Sequence, residues 1–145
     1  MKKKDMRFLL KLPDAIKIFL DLVDRLCEDT SGNVIYLSKV GTDGRPTRLN
    51  LKKLISLIRK YKLHDRLMLL CREVDLSCRS ETRFVKTLLT KLSEYSVGIT
   101  ILLDKLRQDG YLTKQDLLKI REQLELDYKW YLDQAEKIKR LLPAQ

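Results

Sequence analysis

The sequence predicts an all-α protein: a helical bundle with two long C-terminal antiparallel helices and shorter N-terminal ones. Three observations point there. Only five Gly and three Pro interrupt 145 residues. A composition 44% hydrophobic and 34% charged, rich in Leu and Lys, suits a helical chain better than a disordered or all-β one. Apolar residues recur at helical spacing along most of the chain. The length suits one helical domain, residues 1–145, with its own core.

Residues 1–12 are a basic start running into Met6, Phe8, Leu9, Leu10 and Leu12, expected as a short helix or an arm packed on the body. Pro13 suits the first turn of a new helix, where the missing N–H costs nothing, and Asp14 favours the positive end of its dipole. Ile16, Phe19, Leu20, Val23, Leu26 and Cys27 continue that helix to about Asp29, before the turn cluster Thr30, Ser31, Gly32 and Asn33. Residues 34–49 are the least helical part. They hold an extended segment around Ile35 and a loop in which Pro46 pushes Arg45 towards an extended conformation.

Asn50 is a candidate N-cap for a helix over 51–62, with Leu54, Ile55 and Ile58 on its apolar stripe. Another helix follows His64-Asp65, from Arg66 to about Val74. Residues 76–80 are a break and the one candidate hinge. Ser80 or Thr82 then caps a single long helix, about 81–108, whose Phe84, Leu88, Leu92, Tyr95, Ile99, Leu102 and Leu106 alternate steps of four and three. Gly98 inside it marks a bend or a close helix contact. Gly110 suits the left-handed position after the last turn. Thr113 and Asp116 form a capping-box-like start to the last helix, which runs to about Leu142. There Leu117, Leu124, Tyr128, Tyr131, Ala135, Ile138 and Leu142 repeat the same spacing, with Arg121 at one seam position.

Charge is the strongest functional signal. From Lys39 to Arg72 ten Lys or Arg face only Asp43 and Asp65, which accounts for +8 of the formal +10 of the chain. Clustered charge of this kind favours an anionic partner: nucleic acid, an anionic membrane surface or an acidic protein. Lys52, Lys53, Arg59 and Lys60 share an arc of about 120° on the 51–62 helix, on a segment without a carboxylate. Arg45 and Arg48 adjoin it on the loop. Arg83 and Lys86 lie on a different face from the seam of their helix and extend the basic surface. These eight are the candidate nucleic-acid-binding residues, suited to tracking phosphates without reading sequence. Aromatic residues are 7% of the chain, too few for a stacking platform.

Chemistry finds no comparable constellation. His64, Cys71 and Cys78 are evenly spaced, but no C-x2–4-C knuckle supports a zinc site. His64 is the only histidine, and no third group orients it towards Cys71. Asp21/Asp24 and Glu28/Asp29 fit an exposed acidic face or helix end. The loop from Gly41 to Gly44 lacks the Lys-Ser/Thr of a phosphate loop. The reading is non-catalytic, with no metal and no cofactor. Three cysteines and no signal-peptide pattern suggest a reduced, cytoplasmic setting, and no apolar run approaches the roughly 20 residues of a membrane span.

A short, basic, all-helical chain with this face (Lys52, Lys53, Arg59, Lys60, Arg45, Arg48) and Leu-rich helices after Ser80 resembles the small subunit of a class 1 CRISPR surveillance complex. The resemblance covers the whole chain in size and architecture. It implies an antiviral-defence ribonucleoprotein in which several copies stack beside other subunits and hold DNA, or RNA, electrostatically. The stretch from Leu102 to Thr113 resembles instead the helix-turn-helix rhythm of caspase-recruitment domains, which implies a death-fold-like protein–protein adaptor. A third alternative is a peripheral membrane protein using the amphipathic start, Lys2 to Leu12.

Overall fold

A computed structural model describes residues 3–28, 51–72, 80–109 and 112–141. They form helices α1 (Lys3–Glu28), α2 (Leu51–Lys60), α3 (His64–Leu70), α4 (Glu81–Ser93), α5 (Val97–Gln108) and α6 (Lys114–Leu141), with no strand among the described residues. The all-α bundle with a long C-terminal helix is the architecture the sequence predicts. The expectations for residues 29–50 and for the hinge before Ser80 lie outside the described residues.

The long partner of α6 is α1, with which it shares the most extensive contact. Arg121 near the start of α6 ion-pairs with Asp24 near the end of α1. Lys17 lies 5.8 Å from the centre of the Tyr128 ring midway along. The two helices are therefore antiparallel. This required α1 to run through Pro13 instead of starting there. An interior proline removes a backbone hydrogen bond and costs about 3 kcal/mol. The unbroken apolar face outweighs that: Phe8, Leu12, Ala15, Ile16, Phe19, Val23 and Leu26 are all buried. At roughly 1.5–3 kcal/mol for each large side chain, two turns of packing exceed one lost bond. Phe8 and Leu12, which an amphipathic membrane anchor would need, belong to this core.

The single helix expected over 81–108 is two helices, α4 and α5, separated by Glu94, Tyr95 and Ser96. Ser96 has extended backbone angles and its hydroxyl accepts from the Ile99 N–H at 3.2 Å, so it is a true N-cap. Asp127 of α6 completes the corner by accepting from the Ser96 hydroxyl at 2.8 Å and from the Gly98 N–H at 3.1 Å. The Tyr131 hydroxyl donates to the Tyr95 carbonyl at 2.7 Å. Tyr131 has its pKa raised by burial, with Asp127 and Tyr95 adding to the effect. The four-and-three spacing survives across the corner because α4 and α5 both bury that seam: Phe84, Leu88, Leu92, Ile99 and Leu102.

Gly98 is the close contact its position suggested. A Cβ there would lie 2.7 Å from Leu124 Cγ and 3.0 Å from the Leu124 backbone nitrogen. Two caps follow the sequence reading. Ser80 accepts from the Arg83 N–H at 3.2 Å at the start of α4. Thr113 and Asp116 exchange bonds of 3.0 and 3.1 Å at the start of α6, so aspartate closes the capping box as glutamate would.

Candidate nucleic-acid interface

The site is built on α2, the turn after it, and the outer face of α4. Leu54, Ile55 and Ile58 are buried and seat α2 against the bundle, where it packs on α4. Arg59 and Lys60 are left exposed. The helix stops two residues earlier than its apolar pattern suggested. Lys62 adopts φ 57°, its N–H bonds to the Arg59 carbonyl at 2.9 Å, and the Leu63 N–H bonds to Ile58 at 2.9 Å. That is a Schellman stop with lysine in the position glycine normally takes, and with buried Ile58 and Leu63 as its apolar clasp. Then α3 leaves at once, with Leu67 buried and Asp65 and Arg66 exposed. Residues 51–72 thus form a helix–turn–helix unit carrying seven Lys or Arg against Asp65 alone.

On α4, Phe84, Val85, Leu88, Leu89 and Leu92 are buried. The opposite side presents Arg83, Lys86, Thr87, Thr90 and Lys91 along a groove of about 660 Å³ that Ser80 and Thr82 open and Glu94 closes. Its hydroxyls turn back to the helix: Thr87 donates to the Arg83 carbonyl and Thr90 to the Lys86 carbonyl, each at 2.8 Å. The cations therefore dominate what the groove offers a ligand. Arg83 and Lys86 are exposed and form no ion pair among the described residues. A groove lined by such cations can take phosphate groups.

Of the eight candidate residues, Arg45 and Arg48 lie outside the described residues. Lys52 and Lys53 are on α2, but their side chains are outside those described. Arg59 and Lys60 are on α2, and Arg83 and Lys86 are on α4, the helix on which α2 packs. Arg59, however, is not unopposed, because Glu81 from the first turn of α4 ion-pairs with it. That partner is 22 residues away, so inspection of the 51–62 segment alone missed it. Lys60 stands 5.5 Å from the centre of the Tyr61 ring, with the Arg25 guanidinium 5.0 Å from the same ring. Two cations on one tyrosine add Arg25 of α1 to this surface.

Sequence reasoning also missed Lys91. It is i+8 from Arg83, and that same-face spacing was the available signal. Lys91 lies 5.6 Å from the Tyr95 ring centre and 3.5 Å from Glu94, so it is the more restrained end of the groove. His64 packs edge-on against Phe84, with ring centres 5.9 Å apart. Cys71 is buried and Cys27 half-buried. Among the described residues no three His, Cys, Asp or Glu gather as a metal site, and no helix is long and apolar enough to cross a membrane. Compared with known protein families, curated proteins and solved structures, the chain matches none.

Proposed function

We propose that this chain is a non-catalytic nucleic-acid-binding subunit that holds a DNA or RNA backbone on the α2–α4 surface. The observation that carries the reading is the placement of Arg83 and Lys86, exposed and without ion pairs among the described residues, beside a helix–turn–helix unit of net +6. Unopposed cations repel one another, and a polyanion relieves that repulsion while releasing its own counterions. In the fuller form of the proposal the chain serves a cytoplasmic ribonucleoprotein of the CRISPR type. It acts there as a small subunit, in several copies, beside other subunits. Its size, its helicity and its clustered charge support that form.

Fluorescence anisotropy with labelled single- and double-stranded oligonucleotides tests it. Binding should show little sequence preference and a log–log salt slope of about −0.7 to −0.9 for each phosphate neutralised. Reversing Lys60, Arg83 and Lys86 to Glu should flatten the slope by about two to three and leave the helical circular-dichroism spectrum intact. Arg59 is best left in place, because its loss would free Glu81 as well. Equal binding by parent and triple variant at low salt would refute the assigned surface. Retrieval of a protein partner that survives nuclease treatment, with no oligonucleotide binding, would favour the adaptor.

A further inference from the structure

Seven large apolar side chains are exposed among the described residues, and five stand on α6: Leu118, Leu126, Trp130, Leu132 and Leu141. Three of these form a stripe. At 100° per residue, Leu126, Trp130 and Leu141 fall with Gln134 and Lys137 in an arc of about 80°, at steps of four, four, three and four. The stripe follows the ordinary helix period, and it is distinct from the seam that Leu124, Tyr131 and Ile138 bury in the core. Trp130 is 57% exposed and Leu141 72%, so neither is covered by the described residues.

The two edges of the stripe differ. Along one, α6 parts from α1 to leave an apolar groove of about 560 Å³, with Met6, Leu9 and Tyr95 as its far wall and Ile138 at its base. Along the other stand Glu122, Lys129, Asp133 and Arg140, all exposed, in an arc of about 40°. Their signs run negative, positive, negative, positive. Read backwards, the order is the opposite at every place. Glu122 and Arg140 are equidistant from Tyr131, and so are Lys129 and Asp133. A face shaped only by solvation has no reason to be complementary to its own reverse about one residue.

We propose that a second copy of this chain packs here, α6 against α6, antiparallel, about a two-fold axis level with Tyr131. The axis sets Glu122 of one copy opposite Arg140 of the other, and Lys129 opposite Asp133, twice each. It brings the two Trp130 side chains together near the centre, the place where aromatic anchors contribute most to an interface. Leu126 of each copy then sits at the level of residue 136 of the other, over the apolar groove. The pairing is isologous, so it closes at two copies on this face. Within one chain Asp133 is already 3.4 Å from Lys137, and the second copy adds Lys129 to that pair. The α4 groove is a separate surface and takes no part.

This deepens the several-copies part of the proposed function and rests on it only in that copies meet; the test is run on nucleic-acid-free protein, so the two fail separately. Sedimentation velocity of the full chain from about 1 to 200 μM should show a concentration-dependent dimer. Trp130→Glu should be monomeric throughout with an unchanged circular-dichroism spectrum. Glu122→Arg and Arg140→Glu should each weaken self-association roughly tenfold or more, since each sets like charges together twice. Mixed one to one, these two variants should recover the parent affinity, because every pair in the heterodimer is again opposite. A monomer at all concentrations, a dimer indifferent to Trp130→Glu, or a mixture no tighter than either variant alone would overturn the pairing. So would a monomer that uses the stripe to bind anionic vesicles. Oligonucleotide binding by monomeric Trp130→Glu should match the parent per chain, which separates this surface from the basic one.

Discussion

Replacing Gly98 by alanine should destabilise the protein, although alanine is the better helix former. The new Cβ would meet Leu124 Cγ at 2.7 Å, Leu124 Cδ2 at 2.8 Å and the Leu124 backbone nitrogen at 3.0 Å. Ordinary contact begins at 3.4 Å, so the shortest of these must open by about 0.7 Å. Leu124 is fully buried, and the backbone nitrogen cannot turn aside. Overpacking of this kind costs about 1–3 kcal/mol. If α5 instead backs away from α6, it lengthens the bonds from Ser96 and Gly98 to Asp127, each contributing about 1 kcal/mol. Against this stands a propensity gain of at most about 1 kcal/mol. The balance is a loss of about 2 kcal/mol, or a fall in Tm of about 6 °C for a chain of this length. Thermal and urea unfolding followed at 222 nm measure it. Asp127→Ala supplies the control: with that tether removed, α5 can retreat more freely and Gly98→Ala should cost less than in the parent. A Gly98→Ala protein as stable as the parent would refute the close packing of α5 on α6.

Other perturbations follow from single residues. Lys62→Gly relieves a left-handed lysine and should stabilise by about 0.5–1 kcal/mol in urea unfolding, with oligonucleotide binding slightly weaker because one charge is gone; a loss of stability would contradict the Schellman stop. Pro13→Ala should raise Tm, since the regained helix bond and propensity, up to about 3 kcal/mol, exceed the smaller packing lost with the ring. Asp116 is pushed upward by burial, but the Thr113 N–H and hydroxyl and Lys105 outweigh this and hold it below its ordinary 3.8. Its folded pKa is depressed, so its contribution is present above that ordinary value and is lost as pH falls through the folded one. Asp116→Ala should therefore cost about 1 kcal/mol at neutral pH, and the difference from the parent should narrow in acid; a gap that widens on acidification would reverse the assignment.

The exposure of Arg83 and Lys86 was readable from helix phase. Arg83 and Lys86 stand away from the apolar seam of α4, and a helix of known period cannot bring them to its other side. Lys91 belonged to the same phase and was readable in principle. Glu81 was not, because its effect on Arg59 depends on α2 packing beside the first turn of α4. Tyr61 with Arg25 is of the same kind: nothing local to either residue announces that α1 and the end of α2 meet.

The helical class, the apolar faces, the capping box of Thr113 and Asp116 and the clustering of positive charge are properties of local pattern, and the sequence by itself determined them. Three things were decided only by tertiary structure. Pro13 reads locally as a helix start, and only burial of the whole α1 face against α6 carries the helix through it. Residues 81–108 read locally as one helix, and Asp127 and Tyr131, presented from α6, join the Ser96 cap in holding the corner at Tyr95 and Ser96. The long helix could pair with any apolar stripe of matching length, and choosing α1 took the whole core. Local propensities differ by about 1 kcal/mol for most residues, whereas a buried face sums many side chains at once. At Pro13, where the two disagreed, the buried face prevailed.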